Sequence, residues 1–148
     1  MDVERVRRDF PALGQEYGGK PIVYMDSACM SLKSRQVIDA MVQYYECFPA
    51  CAGRSIHRFS SLVEEAVHSA RKNVAKFIGA RKENEVVFTR NTTEGLNLVA
   101  NSLGLNKRDV VVTSDREHNS NLVPWQVLRE RVGIEHKIVK SDENGEFD

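Results

Sequence analysis

From Glu85 onward, short apolar runs and helical periodicities take turns along the chain. Glu85 to Thr89 reads as a strand, Thr93 to Leu103 as a helix, Asp109 to Thr113 as a strand, Pro124 to Val132 as a helix and Ile134 to Val139 as a strand. A strand reaches a parallel neighbour only through a crossover long enough to cover a sheet face, so this alternation points to βαβ units. The expected fold class is α/β: a mostly parallel sheet flanked by helices. In such sheets ligands collect beyond the carboxyl ends of the strands, where loops and helix starts face them.

The first half of the chain is less regular. Val3, Val6 and Phe10 have helical spacing that Pro11 closes, and Gly18-Gly19-Lys20-Pro21 reads as a turn before a strand Ile22 to Met25. Ser34 is placed to cap a helix carrying Val37, Ile38, Met41, Val42 and Tyr45 on one side. A second helix, from about Ser61 to Ile78, turns Leu62, Ala66, Ala70, Val74 and Phe77 inward and stops at Gly79. No repeat, low-complexity tract or linker divides the 148 residues, so one domain is expected, with residues 1–20 as an amino-terminal helical segment and 21–148 as its main body.

Composition removes several classes of function. Lys plus Arg is 21 and Asp plus Glu is 21, a net charge of +0 that gives nucleic acid nothing to bind to non-specifically. The charged start Met1-Asp2-Val3-Glu4-Arg5 is not a signal peptide, and no apolar run approaches the roughly 18 residues of a spanning helix. Neither nucleic acid nor membrane is an expected partner, and a cytoplasmic protein is the simplest expectation. Cys29, Cys47 and Cys51 are odd in number and form no CxxC pair, which favours reduced thiols. Cys47, Cys51 and His57 could contribute to a metal site, but small thiols on or just past a helix account for them, and no metal is expected.

Two loops occupy the positions where α/β sheets bind ligands: Arg90-Asn91-Thr92-Thr93-Glu94-Gly95 and Ser114-Asp115-Arg116-Glu117-His118-Asn119. In the first, free amides at a helix start and the hydroxyls of Thr92 and Thr93 suit a phosphate, although Asn91 or Thr92 also suits a plain capping role. In the second, His118 could lean over the same crevice. A phosphate donor and a flat ring at neighbouring strand ends suit a phosphorylated heteroaromatic cofactor.

These residues carry a resemblance. Tyr24-Met25-Asp26-Ser27-Ala28, Ser55-Ile56-His57, the run from Phe88 to Asn101 and the run from Glu117 to Gln126 resemble, in order and spacing, the cysteine desulfurases and selenocysteine lyases of the class V aminotransferase family. The resemblance spans essentially the whole chain. It implies the fold of type I pyridoxal-phosphate enzymes, with this chain as an incomplete amino-terminal part of the large cofactor-binding domain. It implies pyridoxal 5'-phosphate as cofactor, with His118 stacked on the pyridine ring and Thr92 and Thr93 at the phosphate. Ala28 and His57 match positions near the substrate, and Glu94 matches an acid near the dimer-related active site. A cysteine-like amino acid as substrate, a homodimer and a sulfur-acceptor protein are the implied partners.

The chain also departs from the family pattern. Cys29-Met30 stands where small residues are frequent, Asn91 replaces a frequent glycine, and Ala50-Cys51-Ala52-Gly53-Arg54-Ser55 differs from the usual histidine-arginine-glycine sequence. In the family, the Schiff-base lysine, the aspartate at the pyridinium nitrogen, the carboxylate-binding arginine and the sulfur-accepting cysteine lie beyond the matched stretch. No catalytic residue is therefore expected within this chain. Lys137 follows His136 as the Schiff-base lysine follows a histidine, but it falls in a predicted strand upstream of the matching region, and neither Cys29 nor Cys51 inherits the acceptor role. The expectation is the amino-terminal portion of a desulfurase-like enzyme, inactive alone. The alternatives are a piece of another class V aminotransferase or lyase, or a non-catalytic binding module.

Overall fold

The computed structural model describes residues 2–147. It divides into two compact units, one ending at Val86 and one beginning at Val87.

The first unit opens with helix α1 (Val3–Arg8), whose N-cap Asp2 accepts from the Arg5 amide at 3.0 Å. Pro11 follows the helix as predicted and opens a single 3-10 turn, Pro11–Gly14. Strands β1 (Glu16–Tyr17) and β2 (Lys20–Pro21) form an antiparallel hairpin. Gly18 and Gly19 make its two-residue turn at φ 58° and 71°, the left-handed conformation that such turns need at both positions. The predicted strand Ile22 to Met25 is a correction: these residues form no strand. The Ile22 amide reaches Gln15 O at 3.3 Å, and past that point no partner strand continues the ladder among the described residues.

Helix α2 (Arg35–Cys47) starts after Ser34 as expected, although the serine side chain makes no capping hydrogen bond. Helix α3 (Arg58–Ile78) begins earlier than Ser61 because His57 is its N-cap, the ring Nδ1 accepting from the Ser60 amide at 3.4 Å. It ends at Gly79, whose φ of 74° suits glycine. The predicted inward face of α3 is corrected too. Its buried residues are Ser60 and Ala75, and Phe77 is 91% exposed. Within this unit α3 packs chiefly on the 3-10 turn Glu83–Glu85, which covers only the end of its apolar stripe.

The second unit holds the predicted βαβ arrangement. Helix α4 (Thr92–Ser102) precedes strand β3 (Val110–Ser114), helix α5 (Asn119–Val132) and strand β4 (Glu135–Val139). β3 and β4 are parallel, in register from Val110 opposite Glu135 to Ser114 opposite Val139. Ala100, Trp125, Leu128 and Ile134 form a buried core, with Leu105, Val111 and Val132 packed against it. Gly133 ends α5 at φ 82°.

Two further elements differ from expectation. Glu85 to Thr89 forms no strand: a 3-10 turn covers Glu83–Glu85, and the apolar residues after it run without a ladder. α5 starts at Asn119 rather than Pro124, because His118 caps it and Pro124 lies inside the helix.

Candidate cofactor site

The start of α4 is built by Asn91. With its backbone extended, its Oδ1 accepts from the Glu94 amide at 2.9 Å, and its carbonyl accepts from Gly95 N at 3.1 Å. The amides and hydroxyls of Thr92 and Thr93 remain exposed, with no hydrogen-bond partner among the described residues. These are the donors that a helix leaves open at its first turn. The acid in the same turn is directed elsewhere. Glu94 accepts from the Arg90 amide at 2.6 Å and from Arg90 Nη2 at 3.0 Å, and these bonds hold its carboxyl below the usual range. Arg90 thus offsets a negative charge that would otherwise oppose an anion at the open amides.

His118 sits at the start of α5. Its Nδ1 accepts from the Ser120 amide at 3.1 Å and lies 2.9 Å from Ser120 Oγ. A nitrogen that accepts from a backbone N–H carries no proton, so the neutral ring holds its hydrogen on Nε2. The imidazole itself is exposed. A cavity of about 140 Å³ runs between α4 and α5, from Thr93 to Asn101 on α4 and from Asn119 and Ser120 to Leu128 on α5; neither Thr92 nor His118 lines it. The structure thus brings the Thr93 end of α4 and the residues next to His118 to one place.

Ala28 and His57 belong to the other unit. Ala28 lies in an exposed turn where the amides of Cys29 and Met30 donate to Asp26 O, at 3.1 and 3.0 Å. The Tyr24 hydroxyl fastens this turn by donating to the carbonyls of Asp26 and Met30; partial burial, and then the Asp26 charge, push its pKa up. His57 is exposed and caps α3, with its ring edge-on to Phe59 at 6.2 Å. Among the described residues no group of three or more His, Cys, Asp or Glu is arranged to hold a metal. Lys137 lies within β4 opposite Val112, its Nζ 3.3 Å from the Glu135 carboxylate.

Sequence reasoning passed over Glu117, Asn121 and Trp125, which are joined by side-chain hydrogen bonds and spaced four residues apart. That spacing of a carboxylate, an amide and an indole along a helix start was the available signal. The chemistry of the donor set fits pyridoxal phosphate: unpartnered amides and hydroxyls suit a phosphate ester, and an exposed imidazole face suits a heteroaromatic ring.

Residues 23–148 match the class-V aminotransferase family. A probable cysteine desulfurase of Synechocystis is 45% identical over 97% of this chain and 35% of its own length. The apo structure of a cysteine desulfurase from Thermococcus onnurineus superposes with a TM-score of 0.85 at 39% identity, over 98% of this chain and 35% of that one. The cysteine desulfurase CsdA of Escherichia coli gives 0.76 at 29% identity, over 97% and 35% respectively. The chain thus spans about a third of the length of the relatives it matches. None of its helices is long and apolar enough to cross a membrane, among the described residues.

Proposed function

The chain belongs to the class-V aminotransferase family, and on that premise we propose that it forms the cofactor-holding part of an enzyme that removes sulfur or selenium from cysteine or selenocysteine and leaves alanine. The family is pyridoxal-phosphate-dependent. The chain has the α/β fold of type I enzymes of that class and corresponds to the amino-terminal part of its larger relatives.

The observation that carries the reading is the start of α4, where Asn91 satisfies the Glu94 amide and leaves those of Thr92 and Thr93 open. Thr92 and Thr93 hold the phosphate through amides and hydroxyls, and the helix dipole adds to the attraction. His118, fixed at Nδ1 by its own helix, offers a ring face to the pyridine. Bound pyridoxal phosphate supplies an electron sink for the substrate's α-carbon. Ala28 and His57 border the amino-acid substrate, and Glu94 serves near the dimer-related site. The complete enzyme is a cytoplasmic homodimer that passes sulfur to an acceptor protein. On this reading the Schiff-base lysine and the sulfur-accepting cysteine come from the part of the relatives that this chain does not match, and the 148 residues hold cofactor without turnover.

Equilibrium dialysis against pyridoxal phosphate tests this. Thr93→Val removes one hydrogen bond to a charged group, about 1.5 to 3 kcal/mol, and so raises Kd at least about tenfold; an unchanged Kd removes Thr93 from the site. Borohydride reduction followed by intact mass leaves the chain without a specific adduct, whereas an adduct on Lys137 would place the chemistry inside this chain.

A further inference from the structure

The turn between β3 and α5 is held by a relay that neither element needs for its own hydrogen bonding. Ser114, the last residue of β3, donates its hydroxyl to Glu117 Oε1 at 2.8 Å. Asn121, in the first turn of α5, donates its side-chain amide to Glu117 Oε2 at 2.8 Å. The Asn121 side-chain oxygen in turn accepts from Trp125 Nε1 at 3.1 Å, and Trp125 lies in the core, 8% exposed. Both carboxylate oxygens are thus engaged by donors from different elements, and the chain of bonds ends on a buried ring. The bonds from Asn121 and then Ser114 hold the Glu117 carboxyl below its usual range, so at neutral pH it is the acceptor the relay requires.

The far side of the turn is tied to the segment after β4. The Asp115 carboxylate accepts from Ser141 N at 3.2 Å, and Arg116 Nε donates to Ser141 Oγ at 3.2 Å. The Arg116 guanidinium lies against Gly145, leaving no room for a Cβ at that position. The residue that this doubly anchored turn delivers is His118.

We infer that Glu117 is a positioning residue for the His118 ring: its carboxylate clamps the end of β3 to the first turn of α5, so the imidazole is presented as one tautomer with one face open. The inference rests on the reading of His118 as the residue that meets the pyridine ring. The link is the Ser120 amide. It reaches His118 Nδ1 only while the first turn of α5 is in place, and Asn121 is what Glu117 holds in that turn. With the clamp gone, Nδ1 exchanges its partner for water, and the ring populates both tautomers and more than one orientation.

The test uses ring-nitrogen NMR of the protein labelled at its histidines, with His118→Ala assigning the signal, together with dialysis against pyridoxal phosphate. Glu117→Ala is expected to give mixed tautomers at His118 and a Kd raised about tenfold. Asn121→Asp, which sets a carboxylate against a carboxylate and keeps the oxygen for Trp125, is expected to do the same. Glu117→Gln is expected to restore both readouts, since its oxygen accepts from Asn121 and its amide donates to Ser114. One unchanged tautomer in both Glu117→Ala and Asn121→Asp would overturn the inference. Glu117→Gln as damaging as Glu117→Ala would also overturn it, by making charge rather than the clamp the cause. If His118→Ala leaves Kd unchanged, the stacking role fails, while the tautomer readout still decides the clamp.

Discussion

The unit ending at Val86 and the unit beginning at Val87 are held together by different kinds of order. The second closes a core: Trp125, Leu128, Ala100 and Ile134 meet across α4, α5 and the segment leading into β4. The first contains the longest helix, α3, yet its buried residues among those described are Ser60, Ala75 and Val86, while Met41, Tyr45 and Phe77 are more than half exposed. Order in the first unit rests on caps and turns, as where His57 meets Ser60 and Tyr24 meets its own turn. An amphipathic stripe becomes a core only where a second element of the same unit faces it. That condition is met for α5 and not for most of α3.

The two histidines proposed for the site make the same point. His57 and His118 both cap helices through Nδ1. Among the described residues only His118 follows a turn braced by a carboxylate relay to a core tryptophan, and only its helix start lines a cavity with Thr93 of α4.

The largest expected effect is Trp125→Ala, which removes the biggest core side chain and the end of the relay. It should cost about 3 to 5 kcal/mol in chemical denaturation. A cost below about 1 kcal/mol would mean that the second unit has no better core than the first.

Next, Gly79→Ala and Gly133→Ala each force a side chain into the left-handed region at a helix end and should cost roughly 1 to 2 kcal/mol. Equal costs would show that caps act alike in both units, whereas a loss confined to Gly133 would tie the cap to the core behind it. Gly79 was legible in the sequence, as were β3, β4 and the bodies of all five helices, because each signal is local: a left-handed glycine or a period. The strands expected at Ile22 to Met25 and Glu85 to Thr89 were not, because a strand is a property of a pair and these runs find no partner in their units. The start of α5 was misplaced because proline favours the first turn of a helix while histidine is an uncommon N-cap. The open first turn of α4 at Thr92 and Thr93 was legible from the predicted helix start. Glu117 was not, because its role appears only once Ser114 and Asn121 converge on it.

A smaller effect separates the units by pH. Glu94, Glu117 and Asp142, all in the second unit, have carboxyls held below their ordinary range by Arg90, by Asn121 and by the Glu146 amide respectively. Their stabilisation is complete above the ordinary carboxylate pKa and is lost as pH falls through the folded values. Tyr24, in the first unit, is shifted upward, so its contribution is complete below its ordinary 10.0 and is lost as pH rises through the folded value. Emission from Trp125, the only tryptophan, should therefore report acid loosening of the second unit, and phenolate absorbance should report delayed ionisation of Tyr24. Trp125 emission unaffected by acid until global unfolding would contradict the carboxylate assignments. The smallest effect is that of Phe77→Ala: with the ring 91% exposed, stability should change by no more than about 0.5 kcal/mol.

The most direct measurement is an amide shift map of the labelled protein titrated with pyridoxal phosphate. The expected shifts fall on Thr92, Thr93 and Glu94 and on Asn119 and Ser120 beside His118, and they fade in Thr93→Val. Shifts confined to the basic cleft of Lys72, Lys76, Arg81 and Lys82 in the first unit would mean that the phosphate finds only exposed positive charge, and would contradict a cofactor shelf at the start of α4.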